Sequence, residues 1–262
     1  MGRTIAKGKK PPPSHERINS YLLCAETGMG KTYKARQILN EELSHIPKDN
    51  RFLICPTFKF DKTLQDYFEN EDLVMEKMTP EFIPALLQLI ENDREEIYEK
   101  WHYKYDKNDN KVKIPRKPDT EPYQEYVLML DDCIQYLGSG KRTIDNLTLL
   151  FTKNRHYLLH LVVTSQYYKA AHPCIRNNAR QIYLWQTNLS ELNKICDEQN
   201  QLDNKDDLRE YFRFITKPKH SCFHINNKNY GIKRYQNDVT FKEFKILREE
   251  GALDSDSDSD DD

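Results

Sequence analysis

Short apolar runs punctuate this chain, and apolar residues recur at helical spacing between them. The runs are residues 18–24, 52–55, 73–75, 126–130, 158–165 and 181–185. They are near-continuous rather than alternating, which predicts strands covered on both faces, as in a parallel sheet. Between them, Ala35, Ile38, Leu39 and Leu43 mark one helix over 32–43, and a further helical stretch is expected over 61–68. Phe82, Leu86, Leu89, Ile90 and Ile97 mark a long helix over 80–105, with Pro84 in its tolerated first turn. Ile144, Leu147, Leu150 and Phe151 mark another over 143–156, and shorter helices are expected at about 190–199 and 206–216. A hairpin follows, with arms 222–225 and 230–235 joined by Asn226-Asn227-Lys228-Asn229. Strands alternating with helices predict an α/β fold: a mainly parallel central sheet flanked by helices, closed by a small C-terminal hairpin.

The polar stretches set the boundaries. Residues 1–17, with Pro11-Pro12-Pro13 and five Lys or Arg, read as a flexible basic arm. A charged insertion spans about 91–122, and its part 106–122 reads as a mobile loop. Residues 251–262 read as a disordered acidic tail, all Asp and Ser from Asp254 on, with serines open to phosphorylation. One domain over 18–250 is left. The formal net charge of −2 therefore hides an asymmetry: without the acidic tail the rest of the chain, basic arm included, is net positive, compatible with a polyanionic partner.

Six cysteines have no C-x-x-C spacing, so reduced thiols in a reducing compartment are expected. His220, Cys222 and His224 could suggest a metal, but an ordinary strand is the better reading without a second ligand pair. Neither a signal peptide nor a membrane-spanning run is evident, and Ala6 stands where N-myristoylation wants Ser or Thr.

The chemistry begins at Ala25-Glu26-Thr27-Gly28-Met29-Gly30-Lys31-Thr32, between a strand and a helix. Glycines let backbone N–H groups wrap a phosphate, and the following helix adds positive potential. The candidates to bind nucleotide are Thr27, Gly28, Met29, Gly30, Lys31, Thr32 and Tyr33. Lys31 is placed to reach the β- and γ-phosphates of ATP, and Thr32 to hold Mg²⁺. One departure from G-x-x-x-x-G-K-[ST] is visible: Ala25 stands at the first glycine.

Asp131 and Asp132 end a second strand. In parallel α/β sheets, ligands sit at the carboxyl ends of strands, so the acids and the loop should share one edge. Asp131 is the candidate Mg²⁺ ligand, and Asp132 the group that orients the attacking water. Gln166 also ends an apolar strand and could sense the γ-phosphate.

The stretch Lys153-Asn154-Arg155-His156, Leu159 to Gln166, Pro173, Ile175-Arg176-Asn177-Asn178 and Ile182-Tyr183-Leu184 resembles the FtsK/HerA superfamily of ring-forming DNA-pumping ATPases. The Asp-Asp pair and the Asn-Arg-His triplet look most like the poxvirus-type packaging ATPases of large DNA viruses. The resemblance spans roughly 18–186 and implies a P-loop NTPase of the RecA/ASCE kind that uses ATP and Mg²⁺. It implies a homo-oligomeric ring, pentamer or hexamer, that pushes double-stranded DNA without sequence preference into a preformed capsid. A capsid or portal-vertex protein is then a partner, no membrane is involved, and the host cytoplasm, virus factory or virion is the location. By position, Gln166 matches the sensor glutamine and Arg155 a trans-acting arginine finger; Arg176 is the rival finger. Asn154 departs from the glycine expected before Arg155. The basic stretch Gly138-Ser139-Gly140-Lys141-Arg142 is the candidate DNA-contacting loop. The alternatives are a cellular or plasmid translocase of the same superfamily, a nucleoside or nucleotide kinase, and a nucleotide-binding scaffold. The acid pair and the Gln166 strand argue against the kinase.

Overall fold

A computed structural model describes residues 14–60, 62–65, 67–68, 73–108, 110–114, 123–133, 141–229 and 232–251. The basic arm up to 13, the stretch 115–122, the glycine-rich part of the 138–142 loop and the acidic tail beyond Gly251 lie outside these residues. Lys141 and Arg142 begin a helix. Within the stretch read as an arm, Ser14–Arg17 is a helical turn, α1, and Arg17 donates to the Tyr123 hydroxyl at 2.8 Å.

The first strand, β1 (Ser20–Cys24), leads into helix α2 (Lys31–Gln37), which continues as a π-helical turn over Ile38–Glu42. Strand β2 (Arg51–Ile54), the short helix α3 (Lys62–Gln65) and strand β3 (Val74–Met75) follow. Next come the long helix α4 (Phe82–His102), a hairpin of β4 (Tyr103–Tyr105) and β5 (Lys111–Lys113), and β6 (Tyr126–Leu130). The order continues with α5 (Lys141–Lys153), β7 (Leu159–Ser165), α6 (Pro173–Asn178), β8 (Gln181–Leu184), α7 (Leu189–Gln199) and α8 (Lys205–Thr216). It ends with β9 (Phe223–Asn229), β10 (Ile232–Tyr235) and α9 (Phe241–Glu249).

The sheet order is β10-β9-β8-β1-β7-β6-β2-β3, with β8 through β3 parallel, β9 antiparallel to β8 and β10 antiparallel to β9. This is the α/β architecture the apolar runs predict. Successive residues of each strand face opposite layers. Leu22, Leu128, Leu130, Leu161, Val163 and Ile182 point into a core shared with α4 through α9. Tyr21, Leu23, Val127, Met129, Val162 and Tyr183 point into a second core under α2 and α3.

Two departures matter. Residues 103–113, read as the end of a helix up to 105 and as loop from 106, form the β4–β5 hairpin, closed by Asp106 Oδ1 accepting from the N–H groups of Asn108 (2.8 Å) and Asn110 (2.9 Å). Helix α9 starts at a capping box: the Glu243 N–H donates to Thr240 Oγ1, and the Thr240 N–H donates to the Glu243 carboxylate.

Register aligns the strand ends. Cys24 pairs with Ser165 and Leu184, Leu130 with Val163, and Ile54 with Leu130 and Met75. The parallel strands thus share a carboxyl edge and an amino edge, about 20 Å apart along the seven residues of β7.

Candidate active site

The loop 25–30 leaves the carboxyl edge from β1. Gly28 (φ 84°) and Gly30 (φ 97°) are both left-handed, a conformation costly for any residue with a Cβ. Ala25 is not left-handed. It is buried, and its N–H donates to the Ser165 carbonyl at 3.1 Å, extending the strand pairing by one step. Alanine fits there because neither backbone conformation nor space calls for glycine. Gly30 caps α2 without a side-chain capping bond, which leaves the helix's first N–H groups for an anion as far as the described residues go.

Lys31 is buried and turns inward. Its Nζ donates to the Ala25 carbonyl (3.3 Å) and to Asp132 Oδ2 (3.0 Å). The loop and the acid pair, separated by a hundred residues, are therefore in direct contact. Asp131 lies deeper. It accepts from Thr164 Oγ1 at 2.7 Å and from the Cys55 thiol at 3.4 Å. The Asp132 N–H donates to the same Thr164 Oγ1 at 2.9 Å, and Asp132 has a left-handed φ of 42°. One hydroxyl on β7 thus fixes both acids. Burial pushes the Asp131 carboxyl above its ordinary range, the Thr164 bond opposes this, and the Asp132 charge adds to it. Asp132 Oδ1 is buried with no hydrogen-bond partner among the described residues. A buried carboxylate and a half-buried one with an unsatisfied oxygen, beside the half-buried Thr32 hydroxyl, supply the hard oxygen donors that suit Mg²⁺.

Gln166 follows β7, which lies between β1 and β6, so Gln166 leaves the carboxyl edge between loop and acids. It is half-buried. Arg176 does not fit the rival-finger reading. It is buried and pairs with Glu198 through two bonds, Nε to Oε2 and Nη2 to Oε1, both 2.8 Å. It also donates to the Ala171 carbonyl and lies over the Tyr168 ring at 5.3 Å. A guanidinium buried and paired in this way within its own subunit is poorly placed for a phosphate on another.

Arg155 is exposed and sits in the turn before β7, at the amino edge. It cannot reach its own phosphate loop across the sheet. The turn is built: the Asn154 side chain donates to the Leu159 carbonyl at 3.2 Å, and Leu158 is left-handed at φ 52°.

Sequence reading missed Thr164 and Cys55, because only strand register brings them to Asp131. Nor did it place His220 beside the phosphate loop, where a left-handed backbone (φ 67°) sets its ring against Gly30. The His220 carbonyl accepts from Trp185 Nε1 at 3.1 Å. A groove of about 1760 Å³ opens there, lined by Tyr33 and Lys34 on one side and His220 and Asn237 on the other.

At 220–224 the His224 ring contacts Gln181 Oε1 at 2.7 Å and stacks on Tyr183, and burial lowers its pKa to about 4. His45, Glu125 and His160 do cluster at the amino edge. There the Asn19 N–H donates to His160 Nδ1 at 3.2 Å, which leaves the ring proton on Nε2, facing Glu125 at 3.0 Å. The nitrogen a metal would need is already a donor. All cysteines are free thiols. No helix among the described residues is long and apolar enough to cross a membrane.

The chain matches no protein-family model and no curated protein sequence. Its fold does match solved structures. The genome packaging NTPase B204 from Sulfolobus turreted icosahedral virus 2, solved with AMP, superposes with a TM-score of 0.54 at 12% identity, covering 84% of this chain and 98% of that one. The same protein with ATP-gammaS gives 0.52 at 14%, covering 85% and 98%. EssC (ATPases 2 and 3) from Geobacillus thermodenitrificans gives 0.51 at 12%, covering 91% of this chain and 45% of that one. At such identities the likeness is one of architecture, and by that measure this chain has the α/β fold of the P-loop ATPases.

Proposed function

We propose that the chain is an ATP-hydrolysing motor that drives double-stranded viral DNA into a preformed capsid, as a homo-oligomeric ring of the poxvirus-type branch of the FtsK/HerA superfamily. The observation that carries the hydrolytic part is the 3.0 Å contact between Lys31 and Asp132 on the edge where the phosphate loop ends. The likeness in fold to a protein described as a genome packaging NTPase, and solved with ATP-gammaS, supports the packaging part.

In this reading the N–H groups of 27–33 and Lys31 hold the phosphates, and the groove beside Tyr33 has room for base and ribose. Asp132 orients the attacking water and takes its proton, and Gln166 contacts the γ-phosphate or that water. Thr32 and Asp131 would hold Mg²⁺, which neutralises phosphate charge when bound. Arg155 of a neighbouring subunit stabilises charge on the transferring group. DNA is gripped through its phosphates, without sequence preference. A capsid or portal-vertex protein receives the ring in the virus factory or host cytoplasm.

The test is phosphate release with Mg²⁺, with and without double-stranded DNA, for the full chain and for Asp132→Asn. DNA should stimulate release. The variant should still bind ATP and lose about a thousandfold in turnover, the scale of a water-positioning defect. Release that ignores DNA but responds to an added nucleoside would replace the motor with a kinase.

A further inference from the structure

Helix α4 is longer than the sheet it covers. Its buried residues, Ile83, Leu86, Leu87 and Ile90, all lie in its first half. It crosses the amino edge at 91–94, where Tyr157 donates to Glu91 (3.0 Å), Tyr126 donates to Asp93 (3.2 Å), and Arg94 donates to the His156 carbonyl (2.6 Å). Two of these bonds tie the helix to the turn that carries Arg155. The remaining residues 95–102 extend about 12 Å beyond the edge at 1.5 Å per residue. The β4–β5 hairpin is mounted on their end, with the Ile114 N–H donating to the His102 carbonyl at 2.6 Å.

This arm is ordered by its own contacts: Lys111 bonds Glu99 at 2.8 Å and lies over Tyr103, and Asp106 closes the turn. It has no core. A two-stranded hairpin without one is marginal in water, yet it exposes Tyr105 (64%) and Val112 (38%), with Tyr98 (48%) on the helix below. The carboxyl edge carries a second exposed apolar set: Tyr33, Phe60, Tyr167 and Leu189. Two unlike apolar surfaces at opposite ends of one molecule are what a head-to-tail contact between identical chains uses; a two-fold contact would use one surface twice.

We infer that the arm, residues 95–113, is a subunit-docking element that lies against the carboxyl-edge flank of the next copy of this chain, bound to the turn that presents Arg155. The inference rests on the proposed trans-acting role of Arg155. If that turn meets the neighbour's phosphate loop, an arm that overhangs the same edge enters the neighbour's space. Lys104, Lys107 and Lys113 are exposed and could suit nucleic acid instead. The tyrosine and valine side chains between them, and the two bonds to the Arg155 turn, favour protein.

The test uses full-length chains, isotope-labelled and unlabelled in equal mixture, with a non-hydrolysable ATP analogue and an amine cross-linker. Cross-links between copies should join Lys104, Lys107 or Lys113 to Lys59 or Lys169. In sedimentation velocity, Tyr105→Asp with Val112→Asp should weaken association at least about tenfold, the scale of losing interface anchors. Binding of a fluorescent ATP analogue to the monomer should stay unchanged. An arm cross-linked only within its own copy overturns the inference. So does a double variant that assembles normally but no longer retains DNA, which would make the arm a nucleic-acid contact. A wild-type chain that hydrolyses ATP at full rate as a monomer overturns the trans-acting reading itself, whereas an assembled ring indifferent to the arm overturns only the docking role. If the double variant fails to fold, the cross-links on the unaltered chain decide.

Discussion

Two arginines flank β7 and differ in almost every physical respect. Arg155 precedes the strand, in solvent, on a turn held by Asn154 and by Arg94 of α4. Arg176 follows it, buried, with its guanidinium spread over Glu198, the Ala171 carbonyl and the face of Tyr168. The first has its backbone fixed and its charge without an ion-pair partner among the described residues; the second has its charge committed and serves the core. A residue that must act on another subunit needs the first arrangement, so solvent access and freedom from partners discriminate where motif position does not.

The sharpest break in this comparison should come from Arg155→Ala. Turnover should fall about a thousandfold, the scale on which an arginine finger acts, with little change in melting temperature. Mixing this variant with Asp132→Asn should restore part of the activity, because some interfaces then combine an intact acid with an intact arginine. No recovery between assembled subunits would remove Arg155 from its trans role.

Arg176→Ala should do the opposite. It leaves Glu198 largely buried without its main cation, at about 3 kcal/mol, or roughly 6–12 °C in melting temperature for a domain of this size. Burial alone would raise the Glu198 pKa, but the bonds from Arg176, Lys194 and Tyr168 outweigh it and hold the carboxyl at about 2. A depressed acid stabilises the fold above its ordinary value of 4.5 and loses that contribution as pH falls toward about 2. Melting curves of Glu198→Gln should therefore lack that part of the acid-side loss. An Arg176→Ala protein with wild-type stability and no activity would reverse the assignment of the two arginines.

The smallest shift in stability concerns Asp131. Burial raises its carboxyl pKa, so its contribution to stability falls as pH climbs through the raised value. Asp131→Asn should raise the melting temperature of the nucleotide-free protein at neutral pH by roughly 2–4 °C, or about 1 kcal/mol, while abolishing hydrolysis. A lower melting temperature would show that the charge is better supported than its burial suggests.

Most of the sheet was legible in the chain because fully buried strands have no polar face to interrupt the apolar run. The loop was legible because left-handed turns demand glycine, and the acids because they stop a strand abruptly. Thr164 was not, since its partners are chosen by the register of β7 against β6. The burial of Arg176 was hidden for a similar reason: its counterion lies on α7, two elements later. The β4–β5 hairpin was obscured by charge on both faces, and without burial it shows no period. Helix α9 did announce itself through Thr240 and Glu243, a cue that helical apolar spacing alone overlooks.

The contact between Lys31 and Asp132 also has a consequence in time. An ammonium group held by a carboxylate cannot give its full charge to a phosphate, so nucleotide must win Lys31 by competition. Losing Lys31 releases the carboxylate proposed to orient water. In the proposed motor, the site is therefore locked at rest, and its key is the substrate: the acid becomes available only once there is something to hydrolyse.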